Sequence, residues 1–530
     1  MMPTTPFLEG AFRRMGEGLS FSVAATALLS LVMLYIANKA KEHSKRKGYA
    51  RLPGPIRLPL LGSALQMPQS HAWHTITNWR QTYGDIIQLD LLGYHIVAIN
   101  SPKIARDLLD KRSSVYSDRP HFAFAGDLCE FNKSITLMKY DEPWKRQRKI
   151  LAKEFSTPSS IPRYWPLQEQ QTRLLVQSLL ENPGEMKSQM HFRIGVIIQR
   201  ILYGYTVESP DDAFLVNALV SLGHFNKAGK LGSYLVDFFP ILKYVPEWAG
   251  AGFKGEARRM KESLETSVTL PYEWVKKNML TGQSLMPNLC GTILSGADGP
   301  LSPEEEESLR WAAISSFGAA LDTSASSALT FYLAMIMHPD VQKKAQAEVD
   351  AVVGTDRLPA ISDRSSLPYV RSVMAEVLRW YPAVPMGIAH SSTRDDFYEG
   401  YHIPAHAIVV PNVWFMTHDP AVYDEPSKFI PERYSNSESA MREVYNLVFG
   451  FGRRVCPGMQ FAEGTLFSVI ATTLATCDVT PELDASGNPI FPKLVWSDGV
   501  ISLPPEFKYN IQPRTAKALS LLQTETTFIE

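Results

Sequence analysis

Cysteine is scarce in this chain of 530 residues, and the four cysteines form no CxxC pair: Cys129, Cys290, Cys456 and Cys477. Their spacing excludes a disulfide framework for a chain of this length and indicates a reducing, cytosol-facing environment. Net charge is also low, at −1, so the composition offers no electrostatic basis for binding nucleic acid. Internal repeats and low-complexity tracts are absent as well.

A usable dinucleotide-binding motif is also missing. Residues 250–255 satisfy G-x-G-x-x-G, but residues 245–248 (VPEW) do not predict a strand, and no βαβ unit follows. The sequence therefore predicts that the chain binds neither nicotinamide nor flavin, and that electrons for any redox reaction come from another protein.

One long uncharged run is present at residues 19–37, LSFSVAATALLSLVMLYIA. It is long enough to cross a bilayer, since about 20 apolar residues span the hydrocarbon core. Basic residues cluster after it, so we expect residues 1–18 to form a short lumenal N-terminus and the rest to stay cytoplasmic. A monotopic helix and a cleaved signal peptide are alternatives, although no A-x-A-like cleavage site follows. Residues 38–55 predict a basic linker that ends in a stiff, proline-rich hinge, LPGP.

Local patterns predict a mainly α fold with small β-sheets. Residues 86–99 alternate apolar stretches around Gly93, which is typical of a β-hairpin. Ser302, followed by a proline and then by a glutamate at the third helical position, predicts a helix start. The helical pattern continues through residue 337 and stops before Pro339. A helix of that length is predicted to cross the whole domain.

The most informative segment is FGFGRRVCPG at residues 449–458. Cys456 in isolation is a small hydrophobe, the usual fate of an intracellular cysteine. Here Gly450 and Gly452 permit a tight turn, and Pro457 suits the first position of a helix. That helix would place Cys456 at its N-terminus, where a thiolate is stabilised. A buried thiolate still needs a positive partner, for which an iron ion is a good candidate.

This segment matches F-x-x-G-x-R-x-C-x-G at every fixed position: Phe449, Gly452, Arg454, Cys456 and Gly458. That pattern is the haem-thiolate signature of the cytochrome P450 monooxygenases, and the chain resembles their membrane-bound fungal members of secondary metabolism. The resemblance covers about residues 50–515. It implies one haem-thiolate monooxygenase domain at 56–515 and a C-terminal tail at 516–530. The implied cofactor is haem b with the Cys456 thiolate as axial ligand, Arg454 near a haem carboxylate and Phe449 shielding the sulfur.

The long helix carries an acid–alcohol pair, Asp322 and Thr323, in the segment AALDTS. Such side chains inside an apolar helix are costly unless they are used or paired. The resemblance implies that this segment passes over the haem, that Thr323 would hydrogen-bond iron-bound dioxygen and that Asp322 would support proton delivery. It also implies that Ala319 and Ala320 leave room for substrate. Ala320 departs from the family pattern, in which glycine is commoner. A buried threonine beside an ion-paired aspartate is the structural alternative.

Trp144 and Arg148 lie four residues apart in a predicted helix, on one face. The resemblance implies that both contact a haem propionate, which an arginine can bind with two hydrogen bonds, and that His390 does so as well. A solvated charged face and a structural histidine are the alternatives. Nearby basic side chains offer a docking surface for an acidic electron donor: Lys145, Arg146 and Lys149.

Two further motifs predict a buried ion cluster. Glu376 and Arg379 form E-x-x-R in an apolar helix, and Arg433 belongs to a P-E-R element in which Tyr434 replaces the commoner phenylalanine. The resemblance implies that Glu376, Arg379 and Arg433 hold the haem-binding core together and perform no chemistry.

The candidate pocket walls are mostly apolar or aromatic, which favours a hydrophobic substrate held by shape. Besides Ala319 and Ala320 they are Phe122, Phe124, Phe225, Val384, Met386 and Ile501.

The resemblance, together with the uncharged run and its basic flank, implies a single-pass endoplasmic-reticulum enzyme whose catalytic domain faces the cytoplasm. It would insert one oxygen atom of O2 into a hydrophobic small molecule, a terpenoid or polyketide of fungal secondary metabolism. NADPH–cytochrome P450 reductase is the predicted electron donor, with cytochrome b5 as a second donor. Two alternatives stay open: a haem-thiolate isomerase or peroxide-rearranging enzyme, and a non-catalytic haem-binding protein.

Overall fold

The computed structural model describes residues 44–524, except 60, 158, 231, 282–286, 298 and 436, together with the single residues 30, 33 and 40. Within this part of the chain, no helix is both long and apolar enough to cross a bilayer. The predicted lumenal N-terminus and the predicted membrane segment at 19–37, apart from residues 30 and 33, lie outside the described residues. So do residues 525–530 of the predicted tail, whose first part forms a helix.

Helices make up most of the described chain. In chain order they are α1 Ala72–Tyr83, α2 Pro102–Ala105, α3 Ser113–Tyr116, α4 Glu142–Phe155, α5 Trp165–Glu181, α6 Met186–Tyr203, α7 Ala213–Ala228, α8 Leu235–Phe238, α9 Phe253–Leu280, α10 Leu289–Ser295, α11 Pro303–Met337, α12 Pro339–Val352, α13 Pro368–Trp380, α14 Val413–His418, α15 Glu438–Val448, α16 Met459–Thr476 and α17 Ala516–Thr524. Two π-helical turns, Arg106–Lys111 and Ala123–Leu128, and several 3-10 turns lie between them.

The strands form three small sheets. They are β1 Ala50–Arg51, β2 Ile86–Leu91, β3 Tyr94–Ile99, β4 His390–Ser391, β5 Asp396–Tyr398, β6 Tyr401–Ile403, β7 Ile408–Pro411, β8 Cys477–Pro481 and β9 Tyr509–Pro513. The strand orders are β1-β6-β5, β2-β3-β7-β4 and β8-β9, with β1 parallel to β6 and β3 parallel to β7. The predicted hairpin is β2–β3, in which Ile86 pairs with Ile99. The prediction of a mainly α fold with small sheets is confirmed.

Helix α11 runs through the main hydrophobic core. Ser302 caps it as predicted, because its hydroxyl accepts a hydrogen bond from the Glu305 N–H at 3.3 Å and the Glu305 carboxylate accepts one from the Ser302 N–H at 3.0 Å. The helix has 35 residues and ends at Met337, just before Pro339. It contacts α4, α6, α7, α9 and α16. Burial on nearly all sides explains why its sequence is apolar all round rather than amphipathic.

The segment that carries Cys456 connects α15 to α16. A 3-10 turn at Gly452–Arg454 precedes the cysteine, and the Cys456 N–H donates to the Phe449 carbonyl at 2.8 Å. The prediction that Pro457 occupies the first helical position is wrong. Helix α16 starts at Met459 with Gly458 at its N-cap, because this turn carries the chain two residues beyond Pro457 before the helical pattern begins.

Candidate active site

One internal cavity of about 370 Å³ brings together most of the predicted site residues, and its walls are mainly apolar. Helices α4, α6, α7, α11 and α13 and the Cys456 segment form these walls. The predicted residues that line it are Trp144, Arg148, Phe225, Ala319, Ala320, Thr323, Val384, His390, Phe449, Arg454, Cys456, Gly458 and Ile501. These residues are scattered over more than 350 positions of the chain, and only the packing of the helices makes them one site.

Cys456 presents its side chain to this cavity, and the surface that it exposes belongs to the cavity wall. Burial raises the pKa of its thiol, while a hydrogen bond from the Gly458 backbone and the charge of Arg148 oppose that shift. A thiolate here is therefore favoured only when a further positive charge compensates for burial. That requirement matches the predicted role of Cys456 as a metal ligand.

Gly452 does not line the cavity, and its role is one of close packing. Its φ is +56°, and a Cβ at this position would lie 2.1 Å from the Leu109 carbonyl oxygen. Its N–H donates to Asp110 at 2.5 Å. Glycine is therefore required because the turn passes directly against the backbone of the neighbouring π-helical segment.

Trp144 and Arg148 supply unused hydrogen-bond donors on the α4 wall. The Trp144 Nε1–H is buried and donates to no described residue, and the indole ring lies 4.4 Å below the Arg454 guanidinium. Arg148 makes no hydrogen bond with the described residues, and burial lowers its pKa. A guanidinium and an indole N–H that face the same cavity as a thiol fit a metal cofactor that carries carboxylates. The donor set therefore fits haem.

Arg454 makes a different set of contacts from the predicted carboxylate pairing. Its guanidinium donates to the carbonyls of Ser117 (2.8 Å), Ile135 (3.1 Å) and Met138 (2.7 Å). Burial lowers its pKa to about 10. Of its five N–H groups, these contacts engage three, so Arg454 holds the 117–138 segment against the Cys456 segment and keeps at most two donors for a cofactor.

Arg119 is a cavity residue that the sequence did not reveal. It is 7% exposed, and it donates to the carbonyls of Thr136, Ile388 and Ala389 at 2.7–2.9 Å. Burial and the nearby Arg454 lower the pKa of Arg119 well below its usual value. No motif marks Arg119, because it follows an exposed-looking Ser-Asp pair and nothing in its spacing indicates burial.

His390 is buried at the cavity wall. Its Nδ1–H donates to the Tyr116 carbonyl at 2.8 Å, so the other ring nitrogen of a neutral imidazole is an acceptor. Burial, Arg119 and Arg454 lower the pKa of His390 well below its usual value. The predicted contact with a haem carboxylate therefore requires this ring to take up a second proton, and the role of His390 stays a prediction.

Thr323 and Asp322 face opposite ways from α11. The Thr323 hydroxyl lines the cavity and donates to the Ala319 carbonyl at 2.7 Å. Asp322 faces away from the cavity, where its carboxylate accepts hydrogen bonds from His191 Nε2 and Asn226 Nδ2, both at 3.1 Å. The sequence thus correctly marked Asp322 as paired or used, but it did not identify His191 or Asn226.

His191 extends this network from α11 to α6. Its Nδ1 lies 2.8 Å from the Lys187 carbonyl, and its Nε2 faces the Asp322 carboxylate. Since a carbonyl and a carboxylate only accept hydrogen bonds, both contacts are made when the ring carries a proton on each nitrogen. The His191 side chain is 13% exposed, so it connects the Asp322 carboxylate with the protein surface.

Three predicted pocket residues do not line the cavity. Phe124 stacks on Tyr234 with ring centroids 3.3 Å apart, because the π-helical turn at Ala123–Leu128 directs its side chain toward the segment before α8. Phe122 packs against the outside of the main core. Met386 packs beside the four-stranded sheet, because residues 384–387 form a turn, closed by a hydrogen bond from the Gly387 N–H to the Val384 carbonyl at 3.0 Å.

The predicted ion cluster is formed away from the cavity. Glu376 accepts from Arg379 Nε at 2.7 Å, from Arg379 Nη2 at 2.8 Å and from Arg433 Nε at 3.2 Å. The hydroxyl of Tyr434 donates to the same carboxylate at 3.0 Å. The tyrosine therefore adds a hydrogen bond that the commoner phenylalanine could not make. Burial alone would lower the pKa of Arg379, but the Glu376 carboxylate outweighs this effect and raises that pKa. The cluster ties α13 to the 424–434 segment.

Comparison with known proteins identifies the family. The family model described as Cytochrome P450 matches residues 52–511. Cytochrome P450 monooxygenase 105 of Postia placenta is 44% identical over 504 residues, which cover 95% of this chain and 96% of that protein. Cytochrome P450 monooxygenase claR of Ampulloclitocybe clavipes is 38% identical over 475 residues, covering 89% of this chain and 88% of that protein.

Solved structures agree on the fold. A zebra fish cytochrome P450 with progesterone matches this structure with a TM-score of 0.69 at 24% identity, over 83% of this chain and 99% of that chain. At this identity the likeness shows the fold alone. The family match, the 44% identity to a fungal monooxygenase and this structural likeness all extend over nearly the whole predicted domain. The chain belongs to the cytochrome P450 family of haem-thiolate monooxygenases.

Proposed function

We propose that this enzyme inserts one oxygen atom of O2 into a hydrophobic small molecule bound in the cavity between Cys456 and α11. The single observation that carries this proposal is that Cys456 and Thr323 line the same apolar cavity. Bound haem supplies the redox chemistry of oxygen activation. The apolar walls hold the substrate mainly by shape and exclude water.

The chain's own residues divide the remaining tasks. Cys456 would hold the haem iron through its thiolate, and the unused donors of Trp144 and Arg148 would bind haem carboxylates. Protons enter at His191 and pass to the Asp322 carboxylate on one side of α11, while the Thr323 hydroxyl oxygen accepts hydrogen bonds within the cavity. Each of these groups can hold or move a proton at a named atom, which is what reductive oxygen chemistry requires of the protein.

The decisive experiment is a carbon-monoxide difference spectrum of microsomes that contain the wild-type enzyme or Cys456→Ala. We expect a long-wavelength, thiolate-type Soret band in the wild type that is lost in the variant. Absence of the band in well-expressed, intact wild-type protein would overturn the assignment of Cys456 as the ligand. Val455→Ala is the matched control, because it changes the neighbouring side chain and keeps the thiol.

Proton delivery is tested separately from haem binding. We expect Thr323→Ala, Asp322→Asn and His191→Gln to keep the thiolate-type band and to lower NADPH-coupled turnover. An isomerase or peroxide-rearranging enzyme would need neither the reductase nor these groups. Full NADPH-coupled turnover by Thr323→Ala would contradict the monooxygenase mechanism. NADPH consumption without product from any substrate panel would favour a non-catalytic haem protein.

The proposed electron donor is NADPH–cytochrome P450 reductase, with cytochrome b5 as a second donor. Support comes from α4, on which Lys145, Arg146 and Lys149 are exposed while Trp144 and Arg148 face the cavity. A basic surface on the helix that reaches the haem site suits an acidic donor. Reversing the charges of Arg146 and Lys149 should slow reduction and weaken its dependence on salt; an unchanged rate would place docking elsewhere.

The proposed location is the endoplasmic-reticulum membrane, with residues 19–37 as a single span and the catalytic domain cytoplasmic. The support is the uncharged run and the basic residues after it. Release of the full-length chain from microsomes by alkaline carbonate would contradict a span. Protection of the domain from added protease would contradict its orientation.

A terpenoid or polyketide of fungal secondary metabolism is the proposed substrate. The support is the fungal origin of the relatives and the apolar cavity. Product profiles of a deletion strain test this proposal: loss of a secondary metabolite is expected, whereas a change confined to a sterol or fatty acid would refute it.

A further inference from the structure

The apolar cavity contains several hydroxyl groups, and many of them are already engaged. On α11 the hydroxyl of Ser316 donates to the Ala312 carbonyl at 2.9 Å, and that of Ser327 donates to the Thr323 carbonyl at 3.1 Å. Bonds of this kind, from a hydroxyl to the carbonyl four residues earlier, satisfy the helix's own side chains. Such hydroxyls have no donor left for a ligand.

Ser134 and Ser221 differ from these residues. Both line the cavity, and they are 8% and 5% exposed. Ser134 Oγ accepts from the hydroxyl of Ser315 at 3.0 Å and from the Thr136 N–H at 3.4 Å, so its own O–H is given to no described acceptor. Ser221 makes no hydrogen bond with the described residues. Thr136 and Ser324 also line the cavity with hydroxyls that make no hydrogen bond with the described residues, but these two residues are only half-buried. Buried polar donors are normally paired, so the unused hydroxyl donors of the two buried residues, Ser134 and Ser221, require a partner.

The two hydroxyls belong to the same end of the cavity. The Phe131 and Phe225 rings are in edge-to-face contact, with centroids 5.5 Å apart. Ser134 follows Phe131 by three residues, and Ser221 precedes Phe225 by about one helical turn. Ser134 and Ser221 are therefore each within about one turn of a ring in this contact, which places both residues at the same end of the cavity.

Their distance from the reacting end follows from α11. Ser315, which contacts Ser134, precedes Thr323 on this helix by eight residues. At a rise of 1.5 Å per residue, that separation is about 12 Å along the helix axis. A substrate that reaches from the hydroxyls to Thr323 is therefore about 12 Å long.

We propose that Ser134 and Ser221 form a donor site for one carbonyl oxygen of an otherwise apolar substrate that extends along α11 toward Thr323, about 12 Å away. A carbonyl oxygen accepts two hydrogen bonds, which matches the unused donors of the two buried residues. This inference rests on the proposed function and narrows its substrate class to apolar skeletons that already carry a carbonyl. An oxidation or an acyl-condensation step must then supply the substrate.

The test compares two ligands with the same carbon skeleton, 4-cyclohexylcyclohexanone and bicyclohexyl. Binding to full-length protein with its haem is measured by titration calorimetry in detergent micelles. Part of each ligand dissolves in the micelles, so wild type and variants are compared with the same ligand in the same detergent, which makes this loss equal for all of them. We expect Ser134→Ala and Ser221→Ala each to weaken binding of the ketone about fivefold, or about 1 kcal/mol, and to leave the hydrocarbon unchanged.

Ser316→Ala is the matched control, because it removes a cavity hydroxyl whose donor is already used, and it should weaken neither ligand. Equal effects of Ser134→Ala on ketone and hydrocarbon, or no effect of either variant on the ketone, would overturn the proposal. Calorimetry does not depend on the haem spectrum. Retained preference for the ketone in protein without the thiolate-type band would support the donor site and overturn the proposed oxidation chemistry.

Discussion

Replacing Glu376 with glutamine tests the buried ion cluster directly. The Glu376 and Arg379 side chains are both 0% exposed. The carboxylate accepts hydrogen bonds from Arg379, Arg433, Tyr434 and the Ile430 backbone. Glutamine keeps the shape but removes the charge, and its amide N–H2 would face guanidinium donors. The Arg379 charge would then stay buried with only carbonyl oxygens as partners.

The expected magnitudes form a series. Breaking one partner of a buried ion pair costs about 3–5 kcal/mol, so Glu376→Gln should lower the free energy of unfolding by that amount. Tyr434→Phe removes one hydrogen bond to the carboxylate, and about 1.5–3 kcal/mol is expected. Glu399→Gln makes the same chemical change in an exposed ion pair with Lys103, so it should leave the unfolding midpoint near that of the wild type.

Urea unfolding of the full-length protein in detergent, followed by circular dichroism, measures the midpoint and the slope m. A midpoint shift at constant m reports a change in stability. The carbon-monoxide band, recorded in parallel, reports whether the Cys456 segment is still held in place. A loss for Glu376→Gln no larger than that for Glu399→Gln would refute the reasoning, because the cluster would then contribute no more than a surface pair.

Three further predictions concern the helix cap, the cysteine turn and acid stability. Ser302→Ala removes the N-cap of α11 and should cost about 1 kcal/mol in urea unfolding; no change would show that packing alone holds this helix end. Gly452→Ala places a Cβ 2.1 Å from a carbonyl oxygen and should abolish the carbon-monoxide band, whereas Gly487→Ala, with open space around it, should keep the band. Although burial opposes the shift, hydrogen bonds from His95 and Gln88 lower the pKa of Asp90 to about 2. The contribution of ionised Asp90 to the free energy of unfolding is therefore complete above about pH 4 and is lost as the pH falls toward 2. Asp90→Asn should lower the free energy of unfolding by about 2 kcal/mol at pH 6, and this loss should shrink on acidification. A difference between wild type and variant that stays constant down to pH 3 would contradict this cause.

Features that depend on neighbouring residues were predictable from the sequence. The Ser302 cap, the helix end before Pro339 and the β-hairpin at 86–99 all follow from backbone chemistry within a few positions. The motif around Cys456 belongs to this class only in part. The positive φ of Gly450 and Gly452 is a local requirement of the turn, whereas the close approach of Gly452 to the Leu109 carbonyl is a tertiary contact. The exact helix start was missed, at Met459 instead of Pro457, since helix ends depend on how the preceding turn is packed.

Features that depend on contacts between distant segments were not predictable. His191 and Asp322 are 131 positions apart, and Ser134 and Ser315 are 181 apart. Arg119 is buried by carbonyls of segments that the sequence does not bring near it. The residue pattern of a helix shows which of its own faces is apolar, but it does not predict which residues of another helix pack against that face.

By itself the sequence determined the helical class and the candidate cysteine ligand, Cys456, because each follows from residue types at short, fixed spacing. Arg433, which is 57 positions from Glu376, was assigned to the ion cluster through the family resemblance. Tertiary structure alone decided which side chains line the cavity. It turned Phe124 onto Tyr234 and away from the site, and it left the hydroxyl donors of Ser134 and Ser221 without an acceptor among the described residues. The physical reason is that a cavity is the space left between packed helices, and its walls are set by crossing angles and side-chain directions that arise only when the whole core assembles.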